Sequence, residues 1–291
     1  MSGLEISPGP NPAVTMPLNP AATGLAGTDP ADPATKDADS HKTNYVGSLE
    51  AGALKGQRIG VIRGFSGYSD KTKPVFDSAL AVLKAQRAEL VEIPMDGFSD
   101  LSIEVRQVEA YDFKSDLEAY LKTAPPAVKP RTLAEIMQFN RTEPHEKLHS
   151  EDRMESAAAL SRERDPKYAR IVNDAKTRAG KEGYGKAMKK YHVSALVVLA
   201  GGPADVIRLD ESGPLVGLTS RPPGANRLSP SGLVALAGYP DLVVPAGFVD
   251  SMPVGISFIG MPWSEATLIS YGYAFEQASH ARKPPQAYKT H

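Results

Sequence analysis

The feature that most constrains this chain is a strand, a helix and a second strand packed into roughly forty residues. Gln57-Arg-Ile-Gly-Val-Ile-Arg63 has the β-branched content of a buried strand, and Gly64 to Ser69 reads as a turn. Pro74 opens a helix in which Val75, Leu80, Val82 and Leu83 recur at near-helical spacing. Glu89-Leu-Val-Glu-Ile93 is the second strand. A βαβ unit of this kind implies two parallel strands and a right-handed crossover. The fold must then supply a sheet with helices covering it.

The remaining pattern extends that sheet. Ile103 to Leu121 spreads Val105, Val108, Tyr111, Phe113, Leu117 and Leu121 along a broad helical stripe that Pro125-Pro126 ends. Thr132 with Glu135 three residues on is a capping-box pattern for a short helix reaching about Phe139. Met154 to Arg164 and Pro166 to Tyr191 are two more helices, the second broken or kinked at Gly180, Gly183 and Gly185. Ala195-Leu-Val-Val-Leu-Ala200 is continuous and apolar, as a strand covered on both faces should be. A long loop follows to about Pro230, and Ser231 reads as the N-cap of a helix through Ala237. Asp241 to Pro245 and Val254 to Ile259 are strands, and Ser264-Glu265 starts a last helix through Gln277. Strands thus bracket a helical middle, so the fold class is α/β, one mixed sheet flanked by helices.

Before that sheet, residues 1–27 form a proline-rich leader with no regular structure expected, and 28–291 form the α/β domain. The 33 basic and 34 acidic side chains of the 291 residues give a net charge of -1. That balance provides no field for nucleic acid or an anionic membrane surface. No run approaches the length of a bilayer span, and Met1 to Pro20 lacks a basic segment leading into an apolar one. Cysteine is absent, which removes disulfides, thiolate metal sites and a thiol nucleophile. A cytoplasmic protein that acts on a small molecule or another protein is the expectation.

Several stretches invite a chemical reading. His145-Glu-Lys-Leu-His149 has the letters of a zinc motif, in which two histidines one turn apart bind metal and the glutamate polarises its water. Pro144 and the charged flanks oppose a supporting helix, and no third ligand stands at a useful spacing, so a solvated turn is the better reading. Zinc hydrolysis through His145, Glu146 and His149 stays a remote alternative, with no cofactor or metal expected. Gly180, Gly183 and Gly185 follow a helix rather than a strand, which disfavours a phosphate loop. Ser229 and Ser231 lack a local base to activate them. Asp205, Arg208 and Asp210 follow a buried strand, where open sheets place ligands, yet solvated loop charges are the default.

The order of several blocks resembles the amidase-signature family. They are Asp29-Pro-Ala-Asp-Pro33 after Gly27, Val234-Ala-Leu-Ala-Gly-Tyr-Pro240, Val244-Pro-Ala-Gly247, and Met252-Pro-Val-Gly-Ile-Ser-Phe-Ile-Gly260. Ser264-Glu265 and Tyr273-Ala-Phe-Glu-Gln-Ala278 follow in step. The resemblance covers roughly residues 24–285 and corresponds to the C-terminal half of the family pattern. It implies hydrolysis of carboxamide C–N bonds by a lysine and two serines, the serines lying in a Gly/Ser-rich signature. No Gly-Gly-Ser-Ser-Gly-like stretch occurs here, so no catalytic residue is carried over. What carries over is a pocket wall, with Gly201, Gly202 and Pro203 approaching an amide substrate and Ser231 completing it. The expectation is a truncated or split amidase, inactive alone, dependent on a complementary N-terminal amidase chain or on self-association. A non-catalytic binding or regulatory module on the same scaffold is the alternative.

Overall fold

The computed structural model describes residues 26–146, 151–204 and 230–284. Nearly all of the leader expected over 1–27, and most of the long loop expected before Pro230, lie outside these residues. Five strands form one mixed sheet: β1 (Arg58–Ile62), β2 (Glu89–Ile93), β3 (Ala195–Leu199), β4 (Asp241–Val249) and β5 (Met252–Ile259), in the order β2-β1-β3-β5-β4. The helices are α1 (Lys73–Ala85), α2 (Ser102–Thr123), α3 (Leu133–Thr142), α4 (Asp152–Ala158), α5 (Lys167–Ala179), α6 (Gly185–Tyr191), α7 (Pro230–Ala237) and α8 (Glu265–Ser279).

β1 pairs in parallel with β2 and with β3, as the βαβ pattern requires, whereas β3–β5 and β5–β4 are antiparallel. Side chains alternate along each strand, so each sends its residues to two layers. One face gathers Ile59, Val61, Val197, Ile256 and Phe258 beneath Phe76, Leu80 and Leu83 of α1 and Leu268 and Phe275 of α8. The other gathers Ile62, Leu196, Val198 and Ile259 beneath Met188 of α6 and Leu233 and Val234 of α7. β1 leads to β2 through α1 on the first face, and the return to β3 passes through α6 on the second. Two crossovers of one hand that run in opposite directions along the sheet, β1 to β2 and then β2 back past β1 to β3, must lie on opposite faces.

Gly180 to Tyr184 does not break the helix. It forms a π-helical turn that carries α5 into α6, and fully buried Tyr184 sits in it. Thr132 and Glu135 make the reciprocal capping box at the start of α3. β4 and β5 meet at a two-residue turn, Asp250 and Ser251, both with left-handed φ (48° and 69°), the geometry that matches strand twist.

Two expectations need correction, and a third holds in part. The helix expected over Met154 to Arg164 ends at Ala158. Beyond it Arg162 turns back onto α2, reaching Asp112 at 3.2 Å and Asp116 at 2.7 Å. The stripe on α2 is covered in part: Tyr111 and Leu121 are buried, Val105, Val108 and Leu117 are half-buried, and Phe113 is exposed. Polar contacts also hold α2, with Tyr111 donating to Asp165, Tyr168 to Asp112 and Arg178 to Glu104. Ser231 is not an N-cap, because α7 begins at Pro230 and places Ser231 inside the first turn. Proline favours the first helical position, its missing N–H being unused there anyway.

β4 is an edge strand. Ala200 N donates to Gly255 O at 3.0 Å, so Gly255 spends its backbone groups on the β3 side. Its partner Pro245 therefore turns its own backbone toward the open rim, as do Asp241 and Val243 by alternation. Val243 is 50% exposed, and the register shifts between Pro245 and Gly247. Asp241 is half-buried near Tyr184, and its Oδ1 is buried without a hydrogen-bond partner. Burial raises its pKa, against the opposing pull of a Ser257 hydrogen bond. Among the described residues no helix is long and apolar enough to cross a membrane.

Two substitutions test this packing. Phe275, fully buried edge-on to Phe258, should cost about 3–5 kcal/mol as Phe275→Ala in urea unfolding. Asp241 prefers its neutral form in the fold, so its contribution declines as pH rises from the unfolded carboxylate value through the raised folded one. Asp241→Asn should therefore have a higher urea midpoint than the parent at pH 8, with the gap closing toward pH 4. A gap that does not change with pH would contradict a titrating buried acid.

Candidate functional site

Open α/β sheets bind ligands beyond the carboxyl ends of parallel strands, at the point where successive connections diverge. Here that point lies between β1 and β3. The chain leaves β1 through Gly64 (φ +97°) and Gly67 (φ +95°), conformations that a side chain would strain. It leaves β3 through Ala200, Gly201, Gly202 and Pro203.

The loop after β1 is held at both ends. At its root, Arg63 donates to Asp77 Oδ1 on α1 (2.9 Å), to Tyr68 Oη (3.2 Å) and to Glu92 on β2 (3.3 Å). The guanidinium carbon also lies 5.4 Å from the centre of the Phe76 ring, a cation–π distance. Partial burial works against this cation, but its hydrogen bonds to Tyr68, Asp77 and Glu92 together outweigh it and hold the pKa above the usual arginine value. Asp77 is pulled below the usual carboxylate range, first by Lys73 and then by Arg63. At the far end Thr72 is fully buried, with Oγ1 donating to Gly67 O (2.7 Å) and accepting from Ser69 N (2.8 Å).

This loop rests on the backbone beyond β3. A Cβ on Gly67 would stand 2.5 Å from the Gly201 carbonyl carbon and 2.9 Å from its Cα, and closer still to Gly202 N. The two backbones thus touch with no side chain between them. The contact is one-sided. Among the described residues, a Cβ on Gly202 would meet Gly67 at an ordinary 3.7 Å, and one on Gly201 would meet nothing within 4 Å.

Of the residues singled out from sequence, Gly201, Gly202 and Pro203 lie together on this strand end. Ser231 is exposed at the start of α7, and Tyr184 Oη fixes that start by donating to Pro230 O at 3.2 Å. Asp205, Arg208, Asp210, Ser229 and His149 lie outside the described residues. His145 occupies a turn, its side chain 92% exposed and bonded to Glu143. That is the solvated arrangement the flanking charges suggested. No group of three or more metal-ligating side chains occurs among the described residues. Sequence reasoning missed Gly67, and its only local signal was the Gly64–Gly67 spacing in a loop that follows a strand.

The amidase family profile matches residues 19–269. A probable amidase of Arabidopsis thaliana is 27% identical over 269 residues, 90% of this chain and 46% of that protein. A glutamyl-tRNA(Gln) amidotransferase component from Thermoanaerobacter pseudethanolicus is 26% identical over 269 residues, 90% of this chain and 52% of its own length. The crystal structure of the native peptide amidase from Stenotrophomonas maltophilia superimposes with a TM-score of 0.73 at 31% identity, covering 92% of this chain and 52% of that one. The chain thus spans about half the length of these relatives.

The anchoring of the β1 loop can be tested directly. Thr72→Val keeps the volume but strands Gly67 O and Ser69 N, and should cost about 1–3 kcal/mol by urea unfolding. A loss within error of zero would show that Thr72 does not secure the loop.

Proposed function

The chain belongs to the amidase family, and we propose that it forms the substrate wall and part of the sheet of a carboxamide hydrolase. In this reading the activated hydroxyl and its proton acceptor lie outside these 291 residues. The single observation that carries it is the strand end Gly201–Pro203, which follows β3 at the carboxyl edge where this sheet class admits ligands, with no described residue within 4 Å of a Cβ on Gly201. A serine attacks an amide only with an adjacent base and donors for the oxyanion. The sequence contains no Gly/Ser-rich signature to supply them, and the chain matches about half of each relative. These points together favour the second half of an amidase that works with the residues of a first half, whether in a longer polypeptide or in a separate chain.

Peptide carboxamides are the proposed substrate class, since the peptide amidase of Stenotrophomonas maltophilia shares the fold at 31% identity across most of this chain. Such a substrate offers an extended backbone, and Gly201 presents bare backbone to meet it. The absence of cysteine and the near-zero net charge support a cytoplasmic setting. The uncovered rim of β4 and the exposed Phe113 and Tyr120 of α2 are surfaces on which a complementary half could pack.

The test uses the 291-residue chain with a peptide carboxamide, ammonia release being the readout. The chain alone should show no turnover. Adding a separately expressed polypeptide that carries the lysine and the Gly/Ser-rich segment should restore it. Turnover by the chain alone, lost on changing one of its own serines to alanine, would overturn the assignment. Binding of the complement without turnover would favour a non-catalytic role.

A further inference from the structure

Two loops from strands far apart in sequence meet at Gly67, and the contact admits no side chain. The loop after β1 is also the more firmly held of the two. Arg63 ties its root to α1 and β2, and Thr72 ties its end to Gly67 O. Gly201, by contrast, has one face against that loop, and a Cβ on it would meet no described residue within 4 Å. When a fixed backbone presses on a less firmly held one, the fixed one determines where the other sits.

We propose that Gly67 is a positioning residue that sets the height of the Gly201–Gly202 backbone, and hence the fit of the amide substrate. This rests on the reading of Gly201–Pro203 as the substrate wall. Gly67 itself touches no substrate. It acts by allowing the strand end to settle against the loop, and Arg63 with Thr72 keeps that loop from yielding. A methyl group at position 67 would stand 2.4 Å from Gly202 N, so the neighbouring backbone would have to move away to reach an ordinary 3.4 Å contact.

The structure supplies its own control. Gly56 also has a left-handed φ (+73°), but a Cβ there meets nothing within 4 Å. Gly56→Ala and Gly67→Ala share the backbone strain, and only the second carries the collision. Amide hydrogen exchange of the full 291-residue chain should show faster exchange across 198–204 in Gly67→Ala. β5 should stay protected, and Gly56→Ala should leave 198–204 as in the parent. Arg63→Lys keeps the charge but loses the planar fork, so it should raise exchange in the same segment to a smaller extent. It also serves as the second variant if Gly67→Ala does not fold.

In the enzyme reconstituted for the previous test, Gly67→Ala should raise KM for a peptide carboxamide by about tenfold or more, with kcat within about twofold. A merely destabilised protein would show fewer active molecules, with lower apparent kcat and unchanged KM, which is the result expected for Gly56→Ala. Unchanged exchange across 198–204 in both Gly67→Ala and Arg63→Lys overturns the proposal. So does faster exchange with an unaltered KM, since the wall would then move without the substrate sensing it. Absence of any turnover on reconstitution sinks the substrate-wall reading and this proposal's functional half with it, while the exchange comparison still decides whether the two backbones are coupled.

Discussion

Everything in this fold depends on β3 being shared. Its five residues are all buried, and it hydrogen-bonds in parallel to β1 on one side and antiparallel to β5 on the other. The βαβ unit at 58–93 and the hairpin at 241–259 have no other strand between them. Ala195, Val197 and Leu199 fill one layer while Leu196 and Val198 fill the other, so both layers of the core converge on the same strand. The strand then leads straight into Gly201 and Gly202.

Much of this was readable from residue pattern. β2 coincides with the expected strand, and β1 and β3 differ from theirs only at the ends, because short runs rich in Ile, Val and Leu bounded by turn residues leave little choice. The capping box at Thr132 was legible because it is a contact between residues three apart. The errors share a different origin. α4 stops short because Arg162 finds Asp112 and Asp116 some fifty residues earlier in the chain, and Phe113 of the α2 stripe stays exposed because that helix is held partly by polar side chains of distant segments. Local periodicity reports what a segment can bury, not what the rest of the chain brings to cover it.

The candidate site divides along the same line. Gly201–Pro203 could be named from sequence because the family resemblance points at them. Gly67 could not, since its importance appears only when residues 134 positions away lie against it. Ser231 was assigned a capping role from its residue type, yet Pro230 immediately before it is the better helix opener and took the boundary. The ordering of the β1 loop by Arg63 was likewise hidden, because Asp77 and Glu92 belong to separate elements that only the sheet brings together.

The proline in β4 has a wider consequence. Of the backbone groups on the outer rim between Asp241 and Pro245, only Asp241 and Val243 retain an N–H to offer, and beyond them the ladder loses its register. A stranger's strand would find too short a run of donors to zip onto, whereas a partner shaped for that interrupted rim would lose little. The edge is thereby selective: closed to indiscriminate amyloid-like stacking, and still accessible to a surface built to fit it.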